Sequence, residues 1–220
     1  YRPDGHGVSD ALAATWNGMV GKVEIQFAPM IEIVKIKVNP VTENRTAILD
    51  LLVCNHSDVS CQAEIHAFAG TEISHENMGQ GTEKKNFDFQ AGNNKMKLVL
   101  TYPGDTQRWD EFSPHLEKVL VEISSMWGLQ KKAVTFGFCH INTKDGMFFV
   151  NQRPTYFRGT HFAGDYPLTG YPSCSKEWWE KIMITIKDWG LNFIRFHSYC
   201  PPAAAFEAAD EAGVYLQVEC

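Results

Sequence analysis

Residues 175–218 read SKEWWEKIMITIKDWGLNFIRFHSYCPPAAAFEAADEAGVYLQV, and this stretch decides the fold of the C-terminal part of the chain. Ser175 is a typical N-cap residue and Gly190 a typical residue just after a helix, so a helix is predicted over Ser175–Trp189. Apolar residues recur at three- and four-residue spacing and predict a buried face formed by Trp178, Trp179, Ile182, Met183, Ile186 and Trp189. A strand, a second helix and another strand are predicted in turn at Asn192–Phe196, Pro202–Ala212 and Val214–Val218.

These elements predict a parallel sheet. A further strand, ending at Phe157–Thr160, precedes the first helix, and a hairpin is predicted within Gly146–Gly159. Short connections through helices favour parallel strands with right-handed crossovers. Three such strands leave open edges and a half-covered apolar face, whereas a barrel of this type needs eight strands. We therefore expect residues 141–220 to be the N-terminal part of a (β/α)8, or TIM, barrel and the chain to be a fragment.

Residues 29–140 carry a different pattern, in which apolar and polar residues alternate with a period of two. About seven such runs over some 110 residues are typical of an immunoglobulin-like β-sandwich, although the Cys…Trp…Cys pattern of antibody domains is absent. Between Ala47–Cys54 and Cys61–Ala69 the sequence Asn55-His56-Ser57-Asp58 is rich in turn-forming residues. It predicts a hairpin turn flanked by Cys54 and Cys61, either free or loosely paired.

Residues 1–28 end in one predicted strand, in which Val23, Ile25 and Phe27 alternate with polar residues. A single strand cannot form a domain, so we expect it to pair with a strand that the chain does not contain. The expected fold class is therefore multi-domain. The end of one domain (1–28) precedes an immunoglobulin-like β-sandwich (29–140) and the first β/α units of an incomplete TIM barrel (141–220).

The composition excludes several classes of protein and partner. Apolar residues make up 44% and charged residues 21%, which is ordinary for a globular chain and unlike a disordered one. Twenty Lys and Arg against 26 Asp and Glu give a net charge of −6 and no basic surface for nucleic acid. No run approaches the roughly 20 apolar residues of a membrane span, and the first residues lack the apolar core of a signal peptide. We expect neither nucleic acid nor a membrane as a partner.

The six cysteines contain no CxxC pair, which argues against zinc ribbons and thioredoxin-like chemistry. Cys54, His56, Cys61 and His66 form a Cys/His cluster, but its spacing fits no standard zinc finger, so a zinc site is the weaker interpretation. The cysteines leave the redox compartment undecided.

Three stretches carry a resemblance to a known family, and they are Trp16–Gly21, Trp109–Leu116 and Gly146–Glu219. In the sharpest part, around Asn192-Phe193-Ile194-Arg195-Phe196-His197-Ser198-Tyr199, the chain is similar to the start of the catalytic domain of glycoside hydrolase family 2. The matching positions are Asn192, Arg195, Tyr199, Asp210 and Gly213. Family 2 comprises β-galactosidases, β-glucuronidases and β-mannosidases, and joins a jelly-roll sugar-binding domain, an immunoglobulin-like sandwich and a TIM barrel. The resemblance implies that residues 1–28 are the last strand of the jelly roll.

The chain departs from the family pattern at several positions. His197-Ser198 stands where the family has Ser-His, and Cys200 stands in place of a proline. His161 occupies an asparagine position and Ala163 a histidine position. These differences favour a distinct branch, acting on another pyranoside or a polysaccharide side chain, over a galactosidase-type subsite.

The resemblance and the barrel fold together indicate candidate site residues, because barrel active sites lie at the carboxyl ends of the strands. His161 and Asp165 follow the first strand, Arg195 and His197 end the second, and Glu219 follows the third. Arg195 is expected to hold a carboxylate and His197 and His161 to bind sugar hydroxyls, but either histidine could instead be structural. Asp165 could instead cap a turn. The resemblance implies no cofactor other than a divalent metal, with Glu219 as a ligand.

The expected function is that of a fragment of a retaining β-glycosidase, from a larger secreted or periplasmic enzyme that acts on a carbohydrate substrate. Retaining enzymes need two closely spaced carboxyl groups, which in this family are glutamates after the fourth and seventh strands. These lie beyond Cys220, so no catalytic residue is assigned within the chain, which is expected to be inactive alone. A non-catalytic carbohydrate-binding or assembly module is the main alternative, a truncated α/β enzyme of another type is a second one, and a homo-oligomer stays open.

Overall fold

Two units make up the part of the chain that the computed structural model describes, residues 18–70 and 81–219. The sandwich unit comprises Gln26–Trp109 and His115–Ile141. The C-terminal unit comprises Asp110–Pro114 and Asn142–Cys220, with the described residues of Tyr1–Ile25. The structure is mostly β-sheet, and its two helices lie in the C-terminal unit. No helix among the described residues has the length and apolar character that crossing a membrane would require.

The sandwich unit contains seven strands within its described residues: β1 Ile31–Val41, β2 Thr46–Asn55, β3 Cys61–Gly70, β4 Gly81–Phe89, β5 Gly92–Thr101, β6 Glu117–Ser125 and β7 Gly128–Phe136. They form two antiparallel sheets, in the orders β1-β2-β5 and β4-β3-β6-β7. Alternate side chains of both sheets fill one apolar core. Leu49, Ile65 and Val121, for example, are fully buried, with 0% exposure each. Burying each such side chain contributes about 1.5–3 kcal/mol, which is why the two-residue period specifies this fold. The predicted two-sheet antiparallel sandwich is confirmed.

The predicted hairpin between Cys54 and Cys61 is wrong. β2 pairs with β1 and β5, whereas β3 pairs with β4 and β6, so the connection passes from one sheet to the other. A hairpin within one sheet and a connection between two sheets both need turn-forming residues, so these residues do not show which of the two forms. The buried Asn55 closes the connection, because its Nδ2 donates to Val59 O at 2.8 Å and its Oδ1 accepts from Ser57 N at 3.0 Å. Cys54 and Cys61 are not joined by a disulfide.

The predicted strand at residues 22–27 does not form. The structure assigns no strand to residues 19–30, and Phe27 is 96% exposed. A strand needs a neighbour to satisfy its backbone hydrogen bonds, and none of the described strands pairs with this segment. Trp16 and Asn17, which open the first resembling stretch, lie outside the described residues.

The C-terminal unit begins with a meander of three short strands, β8 Ile141–Lys144, β9 Met147–Val150 and β10 Arg153–Thr155, in the order β10-β9-β8. Asn151 and Gln152 between β9 and β10 both have positive φ, 51° and 68°, as a type I′ turn requires. The hairpin predicted within Gly146–Gly159 is confirmed.

Three parallel strands follow, with helices between them: β11 Gly159–Phe162, α1 Lys176–Asp188, β12 Phe193–Phe196, α2 Ala203–Ala212 and β13 Tyr215–Val218. Ser175 caps α1, and Gly213 ends α2 with a left-handed φ of 72°, as predicted. The predicted apolar face of α1 is confirmed at Trp179, Met183 and Ile186. Trp189 is the exception, since it is the C-cap residue and is 80% exposed.

Candidate functional site

One face of the parallel sheet carries two of the predicted site residues, His161 and Arg195, in one row. His161, Arg195 and Gln217 are direct neighbours in the register of β11, β12 and β13, and all three are exposed. The next row, which includes Phe162 and Phe196, belongs to the apolar core formed with the helices. Since alternate residues of a strand point to opposite faces, burial of one row fixes the exposure of the other. Arg195 therefore lies on the face of the sheet opposite the helices.

The carboxyl ends of β12 and β13 bring three of the candidates together. Arg195 Nη2 donates to Glu219 Oε2 at 3.1 Å, and His197 Nε2 lies 4.0 Å from the same oxygen. The ring centroids of His161 and His197 are 4.9 Å apart. Backbone bonds prolong the ladder past the strands and position these residues, since His197 N donates to Phe162 O at 3.0 Å and Glu219 N to Phe196 O at 3.2 Å. We call His161, Arg195, His197 and Glu219 the strand-end cluster.

Asp165 is not part of the strand-end cluster. It is exposed, and no hydrogen bond or ion pair joins it to the cluster within the described residues. Its neighbour Tyr166 instead turns inward, and the hydroxyls of Tyr166 and Tyr199 hydrogen-bond at 2.8 Å. Burial raises the pKa of Tyr199, with further contributions from Tyr166 and Asp165, and burial raises the pKa of Tyr166 to about 12. Both tyrosines are therefore protonated at neutral pH. Their hydroxyls form one hydrogen-bonded pair with a structural role.

The strand-end cluster combines one fixed cation, one carboxylate and two imidazoles. Its Arg195–Glu219 pair is partly exposed, with side-chain exposures of 46% and 42%. Such a pair adds little stability in water, so its chemical value lies in orienting two groups that can hydrogen-bond a polar ligand. Imidazoles and a guanidinium provide donors, and the carboxylate provides acceptors, which together match the hydroxyls of a sugar. Among residues 18–70 and 81–219 no group of three or more His, Cys, Asp or Glu is placed to hold a metal ion. Glu219 as a metal ligand therefore stays a prediction.

The opposite ends of the strands contain a buried polar network that the sequence did not reveal. Asn192, immediately before β12, accepts from Arg158 N through Oδ1 at 2.8 Å and donates through Nδ2 to Glu111 Oε2 at 2.5 Å. Arg158 Nη2 also reaches Glu111 Oε2, at 3.3 Å, and Lys187 Nζ donates to Glu111 O at 2.5 Å. Asn192 and Asp110–Pro114, which both belong to stretches that carry the family resemblance, are thus joined by hydrogen bonds. These bonds hold the amino ends of the strands in place. The only sequence signal for Glu111 was its place in the Trp109–Leu116 motif.

Comparisons with known proteins agree with the resemblance. No protein-family model matches the chain. It is 22% identical over 217 residues to a β-galactosidase of Alteromonas mediterranea, a match that covers 97% of this chain and 21% of that protein. The chain therefore spans about a fifth of the length of the curated relative that it matches.

Solved structures share the fold. A glycosyl hydrolase family 2 member from Bacteroides cellulosilyticus matches with a TM-score of 0.73 and 17% identity, over 84% of this chain and 24% of that one. The β-glucuronidase of Parabacteroides merdae matches with a TM-score of 0.64 and 21% identity, over 86% of this chain and 24% of that one. The chain is thus similar in sequence to one segment of a β-galactosidase, and in fold to one segment of a glycosyl hydrolase family 2 member and of a β-glucuronidase.

Proposed function

We propose that the chain is a segment of a retaining β-glycosidase, to which it contributes an immunoglobulin-like sandwich and the first strand–helix units of a TIM barrel. The observation that carries this proposal is the strand-end cluster, where His161, Arg195, His197 and Glu219 meet at the carboxyl side of parallel strands. Residues at that side of a barrel form the active site in nearly all enzymes of this fold. The family 2 relatives, which are named as glycosidases, support the same assignment.

Within this proposal, each member of the cluster has a role in binding the sugar. Arg195 orients carboxylates, beginning with Glu219, through charge-assisted hydrogen bonds. His161 and His197 donate to or accept from sugar hydroxyls at neutral pH. Asp165, which follows β11 outside the cluster, is proposed to contact the substrate. Glu219 would bind a divalent cation with ligands from residues outside this chain, where the cation would supply charge to orient the substrate.

The catalytic carboxyl pair is assigned to residues that follow Cys220. A retaining mechanism needs a nucleophile and an acid/base about 5–5.5 Å apart. Glu219 is engaged by Arg195, and Asp165 lies outside the cluster, so these two do not constitute such a pair. Residues 1–28 are proposed to end a preceding jelly-roll domain, and residues 29–140 and 141–220 to be the sandwich and the opening of the barrel.

The test is to isolate the natural protein with an antibody raised against the 220-residue chain and to measure its mass. Both the natural protein and the chain alone are then assayed with aryl β-galactoside, β-glucuronide and β-mannoside. We expect a natural polypeptide several times heavier than 24.8 kDa that hydrolyses at least one of these glycosides, whereas the chain alone hydrolyses none.

Two results would overturn parts of this proposal. A natural protein that binds sugars but hydrolyses no glycoside would indicate the alternative, a carbohydrate-binding or assembly module. Turnover by the 220-residue chain, well above a mock-purified control, would show that the catalytic pair lies within these residues.

A further inference from the structure

The outer face of the three-stranded sheet carries a thiol, an imidazole and a carboxylate in hydrogen-bonding order. Cys54 Sγ lies 3.7 Å from His56 Nδ1, and His56 Nε2 lies 2.8 Å from Glu32 Oε2. Glu32 and Cys54 are direct partners in the β1–β2 ladder, so their side chains project from the same face. His56 is fixed beside them, because its backbone N–H donates to Met30 O at 2.9 Å.

The hydrogen bonds determine which nitrogen of His56 can take a proton. A carboxylate only accepts hydrogen bonds, so the nitrogen that faces Glu32, Nε2, carries the hydrogen. In the neutral ring the other nitrogen, Nδ1, then has a free lone pair, and this lone pair faces the thiol of Cys54. Nucleophile, base and orienting carboxylate are thus arranged as in enzymes that activate a thiol.

Two lysines lie near Cys54 in the ladders of β1, β2 and β5. Lys35 of β1 and Lys95 of β5 both pair with Leu52, which shares a face with Cys54. Diagonal neighbours of this kind lie roughly 7–8 Å apart in a sheet. The residue opposite Cys54 on β5 is the uncharged Asn93, and Glu32 is hydrogen-bonded to His56.

We propose that Cys54 is a reactive thiol, activated by His56 and oriented through Glu32, and that it is a site of modification by low-molecular-weight disulfides. His56 Nδ1 takes the thiol proton, and the Cys54 thiolate attacks one sulfur of the small disulfide. A new sulfur–sulfur bond joins Cys54 to that sulfur as the original disulfide bond breaks. The departing thiolate takes the proton from His56, so the imidazole returns to its starting state.

The other cysteines provide internal controls. Cys174 is exposed as well, yet none of the imidazoles in the described residues hydrogen-bonds to its sulfur. Cys61 is buried, and its sulfur donates to Gln62 O at 3.4 Å. Exposure alone therefore predicts faster modification at Cys174, whereas the proposed activation predicts faster modification at Cys54, which is only partly exposed.

The experiment exposes the folded 220-residue chain to oxidised glutathione and, separately, to iodoacetamide, and follows each cysteine by peptide mass spectrometry. Cys54 is expected to react about tenfold or more faster than Cys174, as base assistance predicts. His56→Ala and Glu32→Gln should each lower the rate at Cys54 and leave Cys174 unchanged. His66→Ala, at an imidazole on the other sheet, is the matched control and should change neither rate.

Three outcomes would overturn the proposal. The first is that Cys54 reacts no faster than Cys174. The second is that His56→Ala leaves the rate at Cys54 unchanged, although the circular dichroism spectrum of this variant is that of the folded chain. The third is a rate advantage that persists in concentrated guanidinium, since this would derive from local sequence rather than from the folded arrangement. Loss of the advantage in guanidinium supports it.

Discussion

Asn192 and Glu111 are 81 residues apart in the sequence, yet Asn192 Nδ2 donates to Glu111 Oε2 at 2.5 Å, with both residues buried. A buried carboxylate is tolerated only where donors surround it. Asn192 and Arg158 donate to the Glu111 carboxylate, and Lys187 donates to the Glu111 backbone carbonyl. The same asparagine side chain also binds the backbone before β11. Glu111 and Asn192 therefore stabilise the C-terminal unit rather than take part in its site.

Replacing Asn192 with alanine should lower the free energy of unfolding by about 2 kcal/mol or more, because a buried carboxylate and a part-buried backbone N–H each lose a partner. Urea unfolding followed by tryptophan fluorescence measures the effect. Asn142→Ala, at an exposed position of the same unit, is the control and should change stability little. Equal stabilities of the two variants would contradict the structural role of Asn192.

Gly137 tests the packing of the sandwich. A Cβ added there would lie 2.5 Å from Trp109 Cβ and 2.8 Å from Trp109 Cγ, too close for either residue to stay in place. Gly137→Ala should therefore destabilise the protein by about 1–3 kcal/mol, as overpacked cores do. At Gly104 an added Cβ meets nothing within 4 Å, so Gly104→Ala is a matched control. A Gly137→Ala melting temperature equal to that of Gly104→Ala would refute the predicted clash.

Asp210 gives the protein a pH dependence. Burial, and then the charges of Glu211 and Glu207, raise the pKa of this carboxyl to about 6. The folded state then binds more protons than the unfolded state between about pH 4 and 6, so stability falls as pH rises through that window. The residue as a whole is nevertheless exposed to solvent, which weakens the effect, so we predict its direction only.

Asp210→Asn should consequently stabilise the protein at pH 7 and flatten the dependence of its melting temperature on pH between 4 and 6. Asp58→Asn, which removes an exposed carboxylate from the sandwich, is the control. A variant at Asp210 that melts lower than the unmodified chain at pH 7, with the pH profile unaltered, would show that this carboxyl does not oppose folding.

Arg195 is predicted to matter for the proposed glycosidase activity of the natural protein. Arg195→Gln removes the donor to Glu219 and should lower kcat/KM by about 100-fold, as is typical when a charge-assisted bond that orients a reacting group is lost. Arg153→Gln is the control, because Arg153 pairs with Asp110 and stacks on Phe112, away from the strand-end cluster. Normal kinetics in a folded Arg195→Gln enzyme would remove Arg195 from the site.

Local patterns predicted most of the elements because their causes are local. The two-residue alternation of the sandwich follows from one buried face per strand, and Ser175 and Gly213 mark helix ends through their own backbone geometry. The row of His161 and Arg195 could also be anticipated, since alternation on two parallel strands places them on one face.

The features that were missed depend on partners far away in the sequence. The path from Cys54 to Cys61 depends on which sheet receives the next strand, which turn residues do not encode. Glu111 looks like an ordinary surface acid in the sequence, and only its distant contacts with Asn192 and Lys187 make it part of the interior.

The position of Asp110–Pro114 has a consequence for exchanging parts between relatives. This loop belongs with the C-terminal unit although the chain reaches it before β6 and β7. A chimera made with one crossover near residue 141 would give Asn192 and Lys187 a loop that evolved beside different side chains. Recombination should therefore use crossovers on both sides of the loop, so that Glu111 is inherited together with the strands and helices that it fastens.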